Sequence, residues 1–310
     1  MLHPLVRGGD DGHSSTVAAV IPGVKDAAAW KALQTTAVGP TGPWARLDVV
    51  DATGSTNADL AAAAAAGAPD RTVLVAHHQT AGRGRRERTW ESGPAEGLTF
   101  SVLLRPTEVP PAQWGWAPLL AGLALVVAME DYRAPASVAT LEAALKWPND
   151  LLLGPDQRKG AGILSEVVPG GPGGERSDGG SAQPGNALVV GIGINVSTPE
   201  AELPEGGTSL LAQSVRRSRP DVLGDVLAVF ASLDDDWRAA RGDAGRAGLL
   251  SGYRQRCATL GREVRVVLPG DRELVGTADD VDDDGRLVVR EPGGALTTVA
   301  AGDVVHVRPA

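Results

Sequence analysis

The apolar residues of this sequence follow two different patterns, and the pattern changes near Cys257. After this residue, short runs rich in Val, Leu and Thr are separated by the turn signals PGD, DDG and PGG. These runs predict strands at 263–268, 274–280, 287–291, 295–300 and 304–307. Short strands at such regular spacing are typical of a small β-barrel, which we predict for residues 258–310.

Before Cys257, helical and strand patterns are interspersed, which predicts an α+β domain over residues 46–257, with a mixed β-sheet and flanking helices. The predicted strands are 47–50, 72–76, 98–104, 150–153, 161–168 and 187–194. The predicted helices are an alanine-rich one that follows Ser55-Thr56-Asn57 and ends at Gly67, and those at 118–132, 139–145, 221–240 and 247–257. Residues 169–186 have the composition of a flexible linker and predict a mobile hairpin tip.

Composition limits the class of protein. A chain of 310 residues is long enough for about two domains, and its net charge of −9 argues against non-specific binding of nucleic acid. Cys257 is the single cysteine, so an internal disulfide and a cysteine zinc cluster are both excluded and a cytoplasmic location is predicted. The most apolar segment, 116–129, is interrupted by Pro118 and Gly122, and we interpret it as a buried helix rather than a membrane span.

The N-terminal 45 residues are rich in Gly, Ala and Pro and show no basic segment followed by an apolar run, so we expect no secretory signal. One weak helical pattern covers 25–36, around Trp30 and Leu33. Residues 1–45 are therefore predicted to be a tail or a short docking helix. A helix-turn-helix DNA reader needs two amphipathic helices joined by a short turn, and this segment has no such pair.

The segment 78–90, HQTAGRGRRERTW, combines glycines and arginines. Gly82 and Gly84 allow the backbone to approach an anion closely, and the arginines can make charge-assisted hydrogen bonds to phosphate. The pattern predicts a phosphate-binding loop, and an arginine-rich surface turn or RNA contact is the alternative. The arginines are Arg83, Arg85, Arg86 and Arg88.

Two further segments group polar residues with glycines. Lys146-Trp147-Pro148-Asn149-Asp150 brings a cation, an amide and a carboxylate onto one stiff turn, and 159–164, KGAGIL, follows within ten residues. In 191–196, GIGINV, alternating glycines allow a strand to lie against a flat ligand, with Asn195 as a polar partner. Taken alone, the first could be an ordinary strand entry and the second a buried strand with packing glycines.

In this order, these segments resemble the biotin protein ligases, also called biotin–[acetyl-CoA-carboxylase] ligases. The family pattern contains Ser-Thr-Asn, a Gly-Arg-Gly-Arg loop ending in Trp, Lys-Trp-Pro-Asn-Asp, Lys-x-x-Gly-Ile-Leu and Gly-Ile-Gly-Ile-Asn, and all five elements occur between Ser55 and Asn195. The resemblance, which covers about 47–307, implies the class II synthetase-like biotin/lipoate ligase fold followed by an SH3-like barrel. Because residues 1–45 show no helix-turn-helix pattern, the resemblance is to the monofunctional form of the enzyme.

The resemblance also implies a reaction and a site. Biotin and ATP give biotinyl-5′-AMP and pyrophosphate, and the biotinyl group then passes to a lysine of the biotin carboxyl carrier domain of an acyl-CoA carboxylase. Lys146 and Arg83 are the implied catalytic residues. The implied biotin-binding residues are Ser55, Thr56, Asn57, Gln79, Gly82, Arg83, Gly84, Arg85, Lys146 and Gly162. Those implied for ATP and the adenylate are Arg83, Arg85, Arg86, Arg88, Trp90, Lys146, Asn149, Lys159 and Asn195. Asp150 is the candidate for Mg²⁺, which prefers oxygen ligands.

Several residues have a structural alternative. Ser55 and Thr56 can cap the alanine helix, and Asn149 or Asp150 can simply hold the Lys146 turn. Arg86 and Arg88 can face solvent in the empty protein. Two residues depart from the family pattern: Glu87 stands where a third glycine is usual, and Ala161 replaces a frequent glycine. Glu87 either pairs with an arginine and orders the loop or weakens its positive field.

Two alternative functions remain. Lipoate protein ligase shares the fold and the acyl-adenylate chemistry, but the arginine loop, the Lys146 turn and the C-terminal barrel favour biotin. A non-enzymatic RNA-binding or adaptor protein would leave the Lys146 and Asn195 segments unexplained. We expect no sequence-specific DNA binding, no membrane association, and either a monomer or a homodimer.

Overall fold

A computed structural model of the chain describes residues 26–85, 88–90, 96–133, 140–170, 185–268, 272–300 and 302–306. Two β-sheets organise these residues. The first has seven strands in the order β1-β2-β3-β7-β6-β5-β4, and the second has five in the order β11-β10-β9-β8-β12. The predicted α+β class, with a mixed sheet followed by a small all-β unit, is confirmed.

The large sheet is mixed because β1 and β2 pair in parallel while its other neighbours are antiparallel. Side chains alternate between its faces, so both faces can carry apolar residues where helices cover them. The strands are β1 Arg46–Thr53, β2 Thr72–Gln79, β3 Gly97–Leu104, β4 Ala143–Lys146, β5 Asp150–Leu153, β6 Arg158–Val168 and β7 Ala187–Asn195. Of the linker predicted at 169–186, the residues 171–184 lie outside the described part of the chain.

Helices cover both faces of this sheet. The short helix α2, capped by Ser55, packs on one face through Leu60 and Ala64, and the other helices bury the opposite face. Helix α3 is apolar on all sides and lies in the core against α4 and the sheet. The helices are α1 Ala27–Val38, α2 Thr56–Ala65, α3 Ala117–Met129, α4 Arg219–Ala239 and α5 Leu249–Arg256.

The helical segment Pro111–Met129 is long and apolar enough to cross a membrane by length and composition alone. Its six-residue 3-10 turn, Pro111–Trp116, leads directly into α3, and two thirds of the apolar window is buried inside the protein. Ten of the thirteen residues of α3 are buried. The packing therefore agrees with the interpretation of this segment as a core helix of a globular domain.

One predicted helix is wrong. The alanine-rich segment 139–145 suggests a helix, but Ala143–Lys146 forms the edge strand β4, paired antiparallel with β5. Alanine favours helix by a few tenths of a kcal/mol per residue, and a segment of seven residues offsets little of the cost of helix nucleation. The hairpin contacts with β5 and packing of Leu145 in the core outweigh that preference.

The C-terminal sheet follows the predicted strand pattern, with β8 Glu263–Val267, β9 Glu273–Val281, β10 Leu287–Arg290, β11 Leu296–Val299 and β12 Asp303–His306. All its pairings are antiparallel. Two tryptophan indoles of the α+β unit hydrogen bond to it: Trp116 Nε1, from the 3-10 turn, donates to Asp283 O at 2.6 Å, and Trp147 Nε1, from the β4–β5 turn, donates to Gly285 O at 3.0 Å. One continuous hydrophobic cluster runs through both units.

The helix predicted around Trp30 is present as α1, which packs against α4 and β1. Trp30 is buried against the ring of His77, with centroids 5.6 Å apart, and the Arg219 guanidinium lies 5.8 Å from the Trp30 ring centroid. Residues 1–25 lie outside the described part of the chain. Within the 45-residue segment, α1 thus docks on the α+β body.

Candidate active site

The segments singled out in the sequence meet in one pocket, between the ends of β2 and β3, the glycines of β6 and β7, and the first residues of β12. Its wall includes residues far apart in the chain, because hairpins and crossovers bring these strands together. The predicted residues in this wall are Ser55, Thr56, Asn57, Gln79, Arg83, Gly84, Arg85, Arg88, Trp90, Lys146, Asn149, Asp150, Lys159 and Gly162.

Among the described residues, two of the predicted ones, Gly82 and Asn195, are not part of that wall. Gly82 instead shapes the loop, since a Cβ on it would lie 2.4 Å from the carbonyl oxygen of Trp90. Asn195 is buried at the end of β7 and donates to the carbonyl of Thr208 at 2.9 Å. Arg86, like Glu87, falls outside the described residues.

The arginine loop closes on itself through backbone hydrogen bonds. Trp90 N donates to Gly82 O at 3.0 Å, and Gly84 N donates to Arg88 O at 2.6 Å. Arg83 and Thr89 form an isolated antiparallel bridge. These contacts hold the described part of the loop as a tight hairpin, and Arg83, Arg85 and Arg88 line the pocket.

Each described arginine of the loop has a partner from another part of the fold. Arg83 Nη2 lies 3.2 Å from both carboxylate oxygens of Glu166. Arg85 donates to Asn149 Oδ1 at 3.4 Å and to Gly302 O at 3.2 Å, and Arg88 pairs with Asp303 at 2.5 Å.

Trp90 covers two glycines that face one another across β6 and β7, Gly162 and Gly193. A Cβ on Gly193 would lie 2.3 Å from Cε2 of Trp90, and one on Gly162 would lie 3.1 Å from Cζ3. Small residues were predicted here to admit a flat ligand. The flat group that lies above them in this structure is the indole of Trp90.

Three charged groups meet below the indole. Lys146 and Asp150 are directly opposite one another in the β4–β5 hairpin, with Trp147-Pro148, a cis peptide, in the turn. Lys159 Nζ lies 2.7 Å from Asp150 Oδ1 and 5.9 Å from the centre of the Trp90 ring. Burial lowers the pKa of Lys146, Asp150 and Asp303 oppose this change, and Lys159 adds to it.

Polar side chains form a buried network at the opposite end of the pocket. Gln79 Oε1 accepts from the backbone N–H of Thr56 at 2.8 Å and from its hydroxyl at 3.0 Å. Ser101 lies 2.7 Å from Thr56 Oγ1 and 2.6 Å from Asn57 Oδ1. Ser55 caps α2, with its Oγ 3.5 Å from Ala58 N, and still contributes to the pocket wall.

A metal site of protein ligands alone is not evident in the described ranges, where no group of three or more His, Cys, Asp or Glu side chains is close enough to hold an ion. Asp150 lines the pocket, but its carboxylate is paired with Lys159.

Sequence reasoning missed three polar residues of this region: Ser101, Glu166 and Asp303. Each contacts a predicted residue, but each lies within an ordinary strand pattern and outside the recognisable segments. The signal that could have identified them is that each is a polar residue facing a predicted residue on a neighbouring strand. Recognising this requires the strand register, which the sequence alone does not provide.

Comparisons with known proteins agree with this geometry. The biotin/lipoate A/B protein ligase family matches residues 51–177, and the biotin protein ligase C-terminal domain matches residues 259–307. The biotin–[acetyl-CoA-carboxylase] ligase of Mycobacterium tuberculosis is 41% identical over 281 residues, covering 90% of this chain and 95% of the relative. That of Paracoccus denitrificans is 34% identical, covering 80% and 96%.

A solved structure shows the same architecture. The biotin protein ligase from Aquifex aeolicus in complex with biotin and ATP superposes with a TM-score of 0.63 at 26% identity, covering 85% of this chain and 99% of that one.

Proposed function

The chain belongs to the biotin protein ligases, and on that premise we propose that it activates biotin with ATP and transfers the biotinyl group to a lysine of a biotin carboxyl carrier domain. The observation that carries this proposal is the single pocket shared by the arginine loop, the Lys146–Asp150 hairpin, Lys159 and the polar network around Gln79. That pocket has a strongly cationic region beside a buried hydrogen-bonding region, as two substrates of different chemistry require.

In the first step, an oxygen of the biotin carboxylate attacks the α-phosphorus of ATP, and the bond from that phosphorus to the pyrophosphate oxygen breaks. The products are biotinyl-5′-AMP and pyrophosphate. Two anions must meet, so the pocket has to neutralise charge that grows at the phosphorus. We assign Arg83 to the carboxylate and Lys146 to the α-phosphate in the transition state, with Lys159 beside the acyl phosphate.

In the second step, the carrier lysine in its neutral form attacks the acyl carbon and AMP leaves with the electrons of the acyl–phosphate bond. The amine loses a proton to solvent or to the departing phosphate. Because AMP is a far better leaving group than hydroxide, amide formation needs little further catalysis by side chains. The chain's task in this step is to hold the adenylate and exclude water.

For the other residues, we assign Ser55, Thr56 and Gln79 to the biotin ring system, because these hydroxyls and this amide surround the buried end of the pocket. Arg85, Arg86 and Arg88 are assigned to the phosphates, and Trp90 to stacking with the adenine. Asn149 and Gly162 would line the adenylate channel, whereas Asn57 and Asn195 would act through their neighbours.

Mg²⁺ binds through oxygen ligands and keeps several waters, so one carboxylate beside nucleotide phosphates suffices to hold it. Asp150 offers such a carboxylate on the pocket wall, next to Lys146 and Lys159. Bound there, the ion would supply further neutralisation of phosphate charge. The residues present therefore fit an ion held mainly by the nucleotide, with Asp150 as a direct or water-bridged ligand.

The test is biotin-dependent exchange of radioactive pyrophosphate into ATP, with lipoate and octanoate in parallel. Exchange with biotin alone is the expected result. Exchange with lipoate instead would make the protein a lipoate ligase, and exchange with no acid would favour a non-enzymatic role.

The acceptor of the biotinyl group and the location of the enzyme are also proposed. We propose a cytoplasmic enzyme whose acceptor is the biotin carboxyl carrier domain of an acyl-CoA carboxylase. Labelling of that domain at one lysine, lost on its Lys→Arg variant, would support the assignment. We also propose that the protein, as a monomer or homodimer, binds no operator DNA specifically. A salt-resistant footprint on a biotin operon would contradict this.

A further inference from the structure

Glu166 is not part of the pocket wall but contacts two residues of it, Asn57 and Arg83, and the reaction outlined above gives it no role. It belongs to β6, four residues after Gly162, and its side chain is about one third exposed, at 32%. Its carboxylate makes two contacts. One oxygen accepts from Asn57 Nδ2 at 2.7 Å, and both oxygens lie 3.2 Å from Arg83 Nη2.

Asn57 connects Glu166 to the rest of the polar network. Its amide nitrogen donates to Glu166 and, at 3.2 Å, to Leu164 O, while its amide oxygen accepts from Ser101. Gly191 leaves room for this amide, since a Cβ there would lie 2.1 Å from Asn57 Oδ1. Both N–H groups of the Asn57 amide therefore have protein acceptors, Glu166 and the carbonyl of Leu164.

A continuous chain of polar contacts, each within hydrogen-bond distance, thus runs from Gln79 through Thr56, Ser101 and Asn57 to Glu166, and ends at Arg83. Thr56, Asn57 and Ser101 are all buried. Loss of an acceptor in such a network leaves a buried donor without a partner, which costs more than the hydrogen bond contributes.

The chain joins two groups that must act on the same molecule. Gln79 and Thr56 are at the end assigned to the biotin ring system, and Arg83 is assigned to the biotin carboxylate. Arg85 and Arg88, assigned to the phosphates, are held by different partners, Asn149 and Asp303. Loss of the Glu166 carboxylate should therefore weaken the use of biotin and leave the use of ATP unchanged.

We propose that Glu166 is a positioning residue for biotin: its carboxylate fixes the Asn57 amide and the Arg83 guanidinium at a set separation, matched to the length of one bound acid. This rests on the proposed function. Glu166 touches neither biotin nor ATP in this account. It acts through Asn57 and Arg83.

The test compares Glu166→Ala with Glu166→Gln in biotin-dependent pyrophosphate exchange, with KM determined for biotin and for ATP separately. We expect Glu166→Ala to raise KM for biotin by about tenfold or more, because a buried donor and a guanidinium both lose their acceptor, and to change KM for ATP by less than about twofold. Gln keeps an acceptor for Asn57, so Glu166→Gln should recover part of the loss.

Ser101→Ala is the second variant. It breaks the same network from the other side without altering charge, so it should also raise KM for biotin selectively, and it carries the test if Glu166→Ala fails to fold. The matched control is Glu200→Ala, which removes a carboxylate that pairs with Arg158 at 2.8 Å on the surface, and it should change neither KM.

Unchanged KM for biotin in folded Glu166→Ala and Ser101→Ala, or equal increases in KM for both substrates, would overturn the positioning role while leaving the ligase activity in place. Absence of biotin-dependent exchange in the unaltered protein would instead overturn the proposed function, and the role of Glu166 with it. Biotin-dependent exchange by the unaltered protein thus shows whether the positioning role or the proposed function has failed.

Discussion

The indole of Trp90 owes its position to two residues that lack side chains. Gly193 approaches the ring more closely than Gly162 does, with hypothetical Cβ distances of 2.3 Å and 3.1 Å to ring atoms. A contact at 2.3 Å forces the ring to move, whereas one at 3.1 Å requires a shift of only a few tenths of an ångström.

We therefore predict that Gly193→Ala displaces Trp90 and raises KM for ATP by about tenfold, because base–aromatic stacking is worth roughly 1–3 kcal/mol. Gly162→Ala should have a clearly smaller effect. Gly54→Ala is the control, since the space around Gly54 is open to 4 Å, and it should be neutral. Steady-state pyrophosphate exchange measures all three. Equal effects of Gly193→Ala and Gly162→Ala would contradict the packing argument.

Lys146 combines burial with a position among other charges. Burial lowers its pKa, while the carboxylates of Asp150 and Asp303 favour its charged form. Its charge is assigned to a phosphate that becomes more negative during the reaction, so its contribution should be larger in the transition state than in the complex with biotin.

We predict that Lys146→Ala slows adenylate formation by about 10²–10³-fold, the loss typical for removal of one group that stabilises developing charge. Biotin affinity should fall far less. Single-turnover formation of biotinyl-5′-AMP and calorimetric titration with biotin separate the two quantities. The exposed Lys31→Ala on α1 serves as the control. A loss of biotin affinity as large as the loss of rate would argue for a role in binding alone.

Sequence alone identified the residues of this pocket that lie in short, characteristic segments. It missed Ser101, Glu166 and Asp303 for a common reason. Their partners lie 45, 83 and 215 residues away in the chain, and such contacts depend on which strands become neighbours. In the same way, the sequence does not indicate that Asp150 pairs with Lys159, whose Nζ lies 2.7 Å from Asp150 Oδ1.

At the level of elements, the β4–β5 hairpin shows where local propensity fails. Its alanines suggest a helix, but the turn at Trp147-Pro148 returns the chain on itself and sets Lys146 opposite Asp150. Long strands such as β3 and β7 were predicted well, since both faces are buried and their apolar runs are continuous.

Strand β12 brings a histidine next to this hairpin. His306 Nε2 lies 3.1 Å from Thr259 Oγ1, and that hydroxyl also accepts from the backbone N–H of Trp147. Burial, together with the nearby charges of Lys146 and Arg262, lowers the pKa of His306 to about 4. In the unfolded chain the pKa of histidine is about 6.5.

The sign of the resulting pH dependence follows from proton binding. Between pH 6.5 and pH 4, the unfolded chain binds a proton at His306 and the folded protein does not, so acid favours unfolding. We predict that this one residue removes about 1 kcal/mol of stability between pH 7 and pH 5, after allowance for its partial exposure. His306→Gln keeps a hydrogen-bonding group and should lose less stability over that interval.

Urea denaturation at several pH values tests this. Between pH 8 and pH 9, His306 is neutral in both states, so the difference in free energy of unfolding between the variant and the unaltered protein should stay constant there. If the two proteins lost the same stability between pH 7 and pH 5, His306 would have no part in the acid response. His77, whose pKa is also lowered by burial, contributes equally to both proteins.

At the scale of the whole molecule, the two sheets form one catalytic unit. Apolar side chains of both belong to one hydrophobic cluster, and the C-terminal unit contributes Asp303, Val304 and Val305 to the pocket wall. Gly302 and Asp303 accept hydrogen bonds from Arg85 and Arg88 of the phosphate-binding loop. With the arginines assigned to the phosphates as proposed above, the C-terminal unit would complete the ATP side of the site and the large sheet would form the biotin side.

This division predicts the behaviour of Asp303→Asn. Arg88 is exposed, so its pair with Asp303 should contribute no more than about 1 kcal/mol, which corresponds to an increase of about fivefold in KM for ATP. KM for biotin should stay within about twofold. Asp279→Asn, which removes an ion pair with Arg290 elsewhere in the barrel, is the matched control.

A double-mutant cycle gives the sharper measurement, because Asp303 acts on ATP through Arg88. Once Arg88→Ala has removed the guanidinium, Asp303→Asn should have little further effect on KM for ATP. The increase in KM for ATP in the double variant should therefore be smaller than the product of the two single increases. If the increase in KM for ATP in the double variant equalled the product of the two single increases, Asp303 would act independently of Arg88. A rise in KM for biotin instead would mean that the barrel supports both substrates, and the separation of the pocket into two sides would be wrong.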